Sequence, residues 1–368
     1  MTPLCSKIAL GMLGGINLST ARELVRRAGS PEAVFERSEA ELKALLGRGA
    51  SLAGAEYRRE VCERARREEV FVRENRIRAL YFADEDYPRR LLDCDDAPAL
   101  LYAVGDTPLD ELRTVAIVGT RRCSAYGQDF TSRLVADLAG LYGRVAIISG
   151  LAYGIDVAAH RAALREGLPT VAVMANGLNT VYPAEHRDTA SRMVREGGML
   201  LSEYPSSAKI HRGFFLARNR IVAGLADAVV VVESDMRGGA MATARIAAAY
   251  GRELFAAPGR VTDAGSRGCL DLIVRREASL IRSAEDIGDA LGWTPRPSEG
   301  SQKEMVLELT PEQQAVVDHI RLNPQHTVND MCVALARPFA SLSSILFELE
   351  MADVVMTLPG GRYAVLEH

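Results

Sequence analysis

Two groups of cations in this chain follow apolar runs and have the makings of an anion site. The first is Gly119-Thr120-Arg121-Arg122, directly after the β-branched residues 115–118. The second runs Lys209-Ile210-His211-Arg212-Gly213-Phe214-Phe215-Leu216-Ala217-Arg218-Asn219-Arg220. Arginine forks hold phosphate oxygens through paired hydrogen bonds, and an exposed phenylalanine offers a face for an unpaired base. A third loop, from Ser149 and Gly150 through Gly154 to Asp156, leaves another apolar run at residues 145–148. Glycine-opened loops that lead into helix N-termini aim backbone amides at one space, as anion binding requires. A phosphate-bearing ligand follows from this composition. For Arg218 and Arg220 two readings stand open, a phosphate contact or a structural pair with a carboxylate such as Glu203 or Glu233. Phe214 and Phe215 are likewise either core or stacking residues.

Other chemistries lack their residues. The loop at Gly119 is neither GxGxxG nor GxxxxGK[ST], and no nucleophile elbow or HExxH occurs. His160, four residues after Asp156, reads as a side chain bonded to that carboxylate in a helix's first turn rather than as a general base. No catalytic residue, cofactor or metal site is expected.

The elements that must position these loops alternate regularly. Strands ending near residues 119, 150, 175, 204, 233 and 259 are separated by helical runs at about 127–142, 155–167, 184–197, 216–225 and 240–251. This predicts an α/β fold, an extended Rossmann-like doubly wound sheet over residues 76–292. Residues 1–75 read as a helical module resembling sterile-alpha-motif or helix-hairpin-helix domains. Its Gly14-Gly15-Ile16 hairpin reads as a packing unit, and its Arg- and Glu-rich segment from Glu56 to Arg73 as a solvated, ion-paired face. Residues 293–308, rich in proline, serine and charge, read as a linker. Residues 309–368 read as three helices and a hairpin, a winged-helix-like pattern.

The 368 residues carry a formal charge of −4, so any nucleic-acid binding must come from a local patch. Six dispersed cysteines read as reduced thiols, and no run reaches the length of a membrane span, which together predict a cytoplasmic protein. In the C-terminal segment the third helix has no lysine or arginine. A major-groove reader needs such cations, so a protein-contact or dimer-modulating role is favoured there.

In order along the chain stand VAIVGTR, SGLAYGIDVAAH, NGLNTVYP, LLSEYP, FLARNRIVAGLADAVVVVE, GGAMATARIAAAYGR and FAAPGRV. This series resembles the signature of the DprA (Smf) family of bacterial transformation, over about residues 80–290. The resemblance implies a non-enzymatic protein that binds single-stranded DNA, dimerises, and loads RecA recombinase on incoming strands covered by single-strand-binding protein. It places DNA contacts on Gly119, Arg121, Ser149, Gly150, Arg212, Phe215, Arg218, Asn219 and Arg220, and the two cation clusters add Arg122 and Lys209 to the expected contacts. One rival is a nucleotide-processing enzyme on the same sheet, such as a phosphoribohydrolase. That reading wants a glutamate after a glycine pair, and residues 237–244 supply none. The other rival is a duplex-binding regulator acting through the winged helix.

Overall fold

Short β-branched runs make the strands, and the amphipathic segments between them make the helices that cover both faces of the sheet. The computed structural model describes residues 1–46, 54–296, 309–351, 354–358 and 360–365. The chain divides into two units, Met1–Pro297 and Ser298–His368. The first opens with helices α1 (Pro3–Met12), α2 (Leu18–Ala28), α3 (Pro31–Glu36), α4 (Glu39–Leu46) and α5 (Ala55–Glu74). Then come β1 (Arg78–Tyr81), α6 (Arg89–Leu92), β2 (Leu100–Gly105), β3 (Arg113–Val118), α7 (Ala125–Tyr142), β4 (Val145–Ser149), α8 (Ile155–Arg165) and β5 (Thr170–Val173). The unit continues through α9 (Arg187–Arg195), β6 (Met199–Ser202), α10 (Arg212–Leu225), β7 (Ala228–Val231), α11 (Gly239–Ala249), β8 (Glu253–Ala256), α12 (Arg267–Val274), β9 (Ser279–Leu280) and α13 (Ala284–Leu291).

The sheet has nine strands in the order β1-β2-β6-β5-β4-β3-β7-β8-β9. From β6 to β9 neighbours are parallel, while β1 and β2 add an antiparallel edge. The chain therefore winds outward from β3 in one direction, returns, and winds outward in the other. Loops that leave the carboxyl ends of β3 and β7 diverge at this reversal, where open α/β sheets form their ligand crevice. Alternate residues of each strand feed opposite cores. Ala116, Val118, Val229 and Val231 face one, and Val115, Ile117, Ala228 and Val230 the other. Each large aliphatic side chain so buried contributes roughly 1.5–3 kcal/mol.

Three local expectations change. First, α10 starts at Arg212 rather than near residue 216, because the His211 side chain accepts the Gly213 amide proton and caps the helix earlier. Second, α5 is not simply solvated. Glu68 and Glu69 are buried, and Glu68 accepts bonds from the Ser206 amide (2.8 Å) and hydroxyl (2.6 Å). Third, His160 does not bond Asp156. Its Nδ1 lies 2.7 Å from Thr170 Oγ1, whose own proton goes to the Ile147 carbonyl, so Nδ1 is the donor. The Gly14 amide donates to the Tyr57 hydroxyl at 2.9 Å, so the N-terminal hairpin spends that donor on packing.

Trp293 packs edge-on against Tyr142, with the Arg113 guanidinium over both rings, so the start of the expected linker lies on the sheet unit. The rest of that linker, residues 297–308, lies outside the described residues. The second unit contains α14 (Pro311–Leu322), α15 (Val328–Ala334), α16 (Phe339–Met351) and a hairpin of β10 (Val355–Leu358) and β11 (Arg362–Val365). Capping boxes at Thr310/Gln313 and Thr327/Asp330 start its first two helices. Among the described residues no single helix is long and apolar enough to cross a membrane.

Burial, aided by the Arg218 charge, pushes the His160 imidazole down to about 3. In the unfolded chain the ring titrates near ~6.5. Between those values the unfolded state holds one more proton, so this contribution to stability is complete above pH ~6.5 and falls by about 1.4 kcal/mol per pH unit below it. Urea unfolding of the wild type from pH 7 to 4 is expected to show a steeper loss of stability than His160→Gln, by about one proton. Parallel pH profiles would contradict the buried neutral ring.

Candidate nucleic-acid interface

The β3 and β4 loops meet over the sheet edge, and glycines allow the contact. A Cβ on Gly154 would lie 2.1 Å from the Thr120 carbonyl and 2.7 Å from the Arg121 carbonyl carbon. One on Gly119 would strike Ile155 at 2.5 Å. Gly154 also has φ +77°, a conformation that costs a side-chain-bearing residue about 1 kcal/mol or more. Backbone bonds lock the junction. The Ile155 amide donates to Thr120 O at 3.2 Å, and the Thr120 amide to Glu233 O at 2.7 Å. The Glu233 carboxylate accepts from the Ser124 amide (2.9 Å) and hydroxyl, fixing the start of α7.

Held this way, Arg121 and Arg122 are exposed. The Arg121 guanidinium lies over the Phe215 ring, 5.4 Å from its centroid, in a cation–π contact. Lys209 and Arg212, also exposed, stand at the entry to α10. None of these four cations forms an ion pair among the described residues. Arg121 and Arg122 line a cleft of about 410 Å³ together with Gly119, Phe215, Arg218, Asn219 and the uncapped start of α11 at Gly238 and Gly239. Asp235 lines the same cleft, with its carboxylate accepting the Met236 amide.

Of the other residues expected to touch a ligand, Arg218 and Asn219 line this cleft with polar groups already engaged, whereas Ser149 and Gly150 are buried and Arg220 is paired, which corrects the sequence reading for those three. Arg218 is only 4% exposed. Its guanidinium donates to the Val173 carbonyl and packs on Gly150, where a Cβ would lie 2.0 Å from Nη1. Helical periodicity explains the burial. Residues 218, 221, 222 and 225 form the inward face of α10, while Phe215 and Asn219 lie half-buried on the flank that adjoins it and Arg212 is exposed at its start. Burial lowers the Arg218 pKa, and the nearby Asp156 carboxylate opposes that shift. Burial likewise raises Asp156, countered by Arg218 and by the Ala152 and Gly150 amides that point to it. Gly150 is buried under the Arg218 guanidinium. Ser149 is buried too, donating to Ile117 O at 2.6 Å. Arg220 takes the structural alternative, a forked pair with Glu203 at 2.5 and 2.9 Å plus a bond to Asp96 O. Asn219 reaches the Gly239 carbonyl at 3.4 Å, tying α10 to α11. Phe214 stacks on Tyr204 with centroids 3.9 Å apart.

Two exposed tyrosines beside Arg121 and Phe215, Tyr153 and Tyr182, were missed by reasoning from sequence. The signal available was an aromatic in each of two glycine-containing loops after β4 and β5.

The comparisons with known proteins agree with this architecture. A family model described as DNA recombination-mediator protein A matches residues 78–292, and one described as DprA winged helix domain matches residues 303–361. The chain is 45% identical over 217 residues to a putative DNA processing protein DprA of Mycobacterium tuberculosis, covering 56% of this chain and 55% of that protein. It therefore spans about half the length of that relative. Protein Smf of Escherichia coli is 36% identical over 287 residues, 75% of this chain and 74% of that one. Among solved structures, DprA from Streptococcus pneumoniae superposes with TM-score 0.62 at 31% identity, over 78% of this chain and 97% of that chain. DprA from Helicobacter pylori, whose structure concerns its single-stranded DNA binding mode, gives TM-score 0.52 at 32% identity, over 58% and 95%.

The junction can be tested without any ligand. Gly154→Ala is expected to cost at least about 2 kcal/mol in chemical denaturation, from positive φ plus the clash with Thr120. Gly167→Ala, also at positive φ but with nothing within 4 Å, should cost only about 1 kcal/mol. Equal costs would remove the close approach as a constraint.

Proposed function

Because this chain belongs to the DNA recombination-mediator protein A family, we propose that it binds single-stranded DNA across the mouth formed by the β3 loop and the start of α10. One observation carries this reading. Among the described residues Arg121, Arg122, Lys209 and Arg212 are exposed and free of ion pairs, while the adjacent Arg218 and Arg220 are buried or paired. Cations left free beside an aromatic ring are what a sequence-indifferent single-strand site needs. Arg121 and Arg212 hold phosphates, Phe215 carries Arg121 and offers its remaining surface to a base, and Gly119 lets the backbone approach. Arg220, Ser149 and Gly150 support the mouth from beneath, and Arg218 and Asn219 form part of its lining.

The wider reading draws on family membership. The protein works as a cytoplasmic homodimer that protects incoming strands, takes them from single-strand-binding protein, and loads RecA recombinase during recombination of imported DNA. The function is binding and transfer, without chemical turnover. The C-terminal unit fits a protein contact better than duplex reading, since α16 carries no cation and Arg337 is paired with Glu312 at 3.0 Å.

Fluorescence anisotropy of a short oligothymidylate across a salt series tests the mouth. Arg121→Ala is expected to weaken binding about tenfold and to reduce the slope of log affinity against log salt by about 0.7, one single-strand phosphate contact. Unchanged affinity and slope would move the site elsewhere.

A further inference from the structure

We propose a second base-stacking surface in this mouth, formed by Tyr182 with Tyr153, that takes the unpaired base next to the nucleotide held at Arg121 and Phe215. The proposal rests on the single-strand reading above and deepens it. Phe215 is half-buried, its face is shared with the Arg121 guanidinium, and the Tyr182 ring meets it edge-on at 5.6 Å and 62°. Tyr182 is nevertheless 45% exposed, and Tyr153 is 42% exposed. Both line one depression with Arg121 and Phe215 above the carboxyl ends of β4 and β5.

These rings are exposed but held. Tyr153 packs edge-on against the buried His186 at 5.0 Å, and the nearby Glu185 carboxylate raises its hydroxyl pKa. His186 is itself anchored, with Nδ1 2.8 Å from the Leu151 carbonyl. Tyr182 is braced by Phe215 and precedes the buried Pro183. A rigid aromatic surface left open to water binds a flat ligand with little loss of side-chain freedom. At 5.6 Å the Tyr182 and Phe215 rings are too close to sandwich a base, which needs about twice the ~3.4 Å stacking distance. Their tilt gives two faces at an angle, suited to two successive bases that splay apart. Glu185, the nearby carboxylate, has its pKa lowered by its own backbone amide and by Tyr153 and stays charged beside the rings. The depression itself, about 20 Å³, is too small for a base, so the base lies on the exposed ring faces at its rim, with its neighbouring phosphate at Arg121.

The test compares full-length wild type, Tyr182→Leu and Tyr182→Phe in anisotropy titrations with an oligothymidylate and with an abasic strand of equal length. Leucine keeps bulk against Phe215 but loses the flat face. Tyr182→Leu is expected to weaken oligothymidylate binding about tenfold at unchanged salt slope, with Tyr182→Phe near wild type. On the abasic strand wild type and Tyr182→Leu should bind alike. Tyr182→Leu binding oligothymidylate as the wild type does, or losing equally on both strands, overturns the second surface. If the wild type fails to bind either strand, the single-strand reading falls with it. If Arg121→Ala weakens binding and Tyr182→Leu does not, only the second surface falls.

Discussion

Two loops can lie against each other above the sheet because Gly154 has no side chain. The Thr120 carbonyl and the Arg121 backbone occupy the space that a Cβ would need, and the Ile155 amide binds the same carbonyl. The approach turns two separate strand ends into one wall. From that wall Arg121 and Arg122 project outward, while Glu233 fixes the far side through Thr120 and Ser124. A larger residue at position 154 would have to push the loops apart, and the arginines would lose their common direction.

The mouth also depends on how the cations divide. Arg218 and Arg220 are two residues apart on α10, yet one lies inward on Gly150 and Val173 O, and the other locks to Glu203. Their charges stiffen the floor and the helix rather than meeting solvent. Removing one partner from such a buried arrangement costs several kcal/mol, because the remaining charge keeps its desolvation penalty. Arg121, Arg122, Lys209 and Arg212 escape that commitment. In a chain of net charge −4 these exposed cations concentrate positive charge at the β3 loop and at the entry to α10, the local charge that the proposed strand binding requires. The N-terminal helices contribute as well, since Glu68 on α5 grips Ser206 in the loop that leads to Lys209.

Much of this was legible in the sequence. Residues 115–118 and 145–148 are short, β-branched and followed by glycine, so the strands, the winding and the position of the mouth follow from local pattern. The family resemblance rested on ordered motifs that the fold keeps together around the same edge. What the sequence left open concerns partners distant along the chain. Arg220 had Glu203 as one of two candidate mates, whereas Val173's carbonyl, the actual acceptor for Arg218, carries no sequence signal. His160 looked to Asp156 on its own helix, but tertiary packing turned it to Thr170 on β5. The inward face of α10 could have been read from the spacing of 218, 221, 222 and 225 once the helix was started at residue 212. Tyr153 and Tyr182 gave only a weak signal, since exposure of an aromatic is set by the surrounding loops.

Hydrogen exchange of the full chain with and without a short oligothymidylate tests the central claim most directly, because it reads every region at once. The account predicts protection concentrated in residues 119–124, 149–156 and 207–220, with residues 309–351 unchanged. Protection confined to the C-terminal unit, or absent from the Arg121 loop, would contradict it.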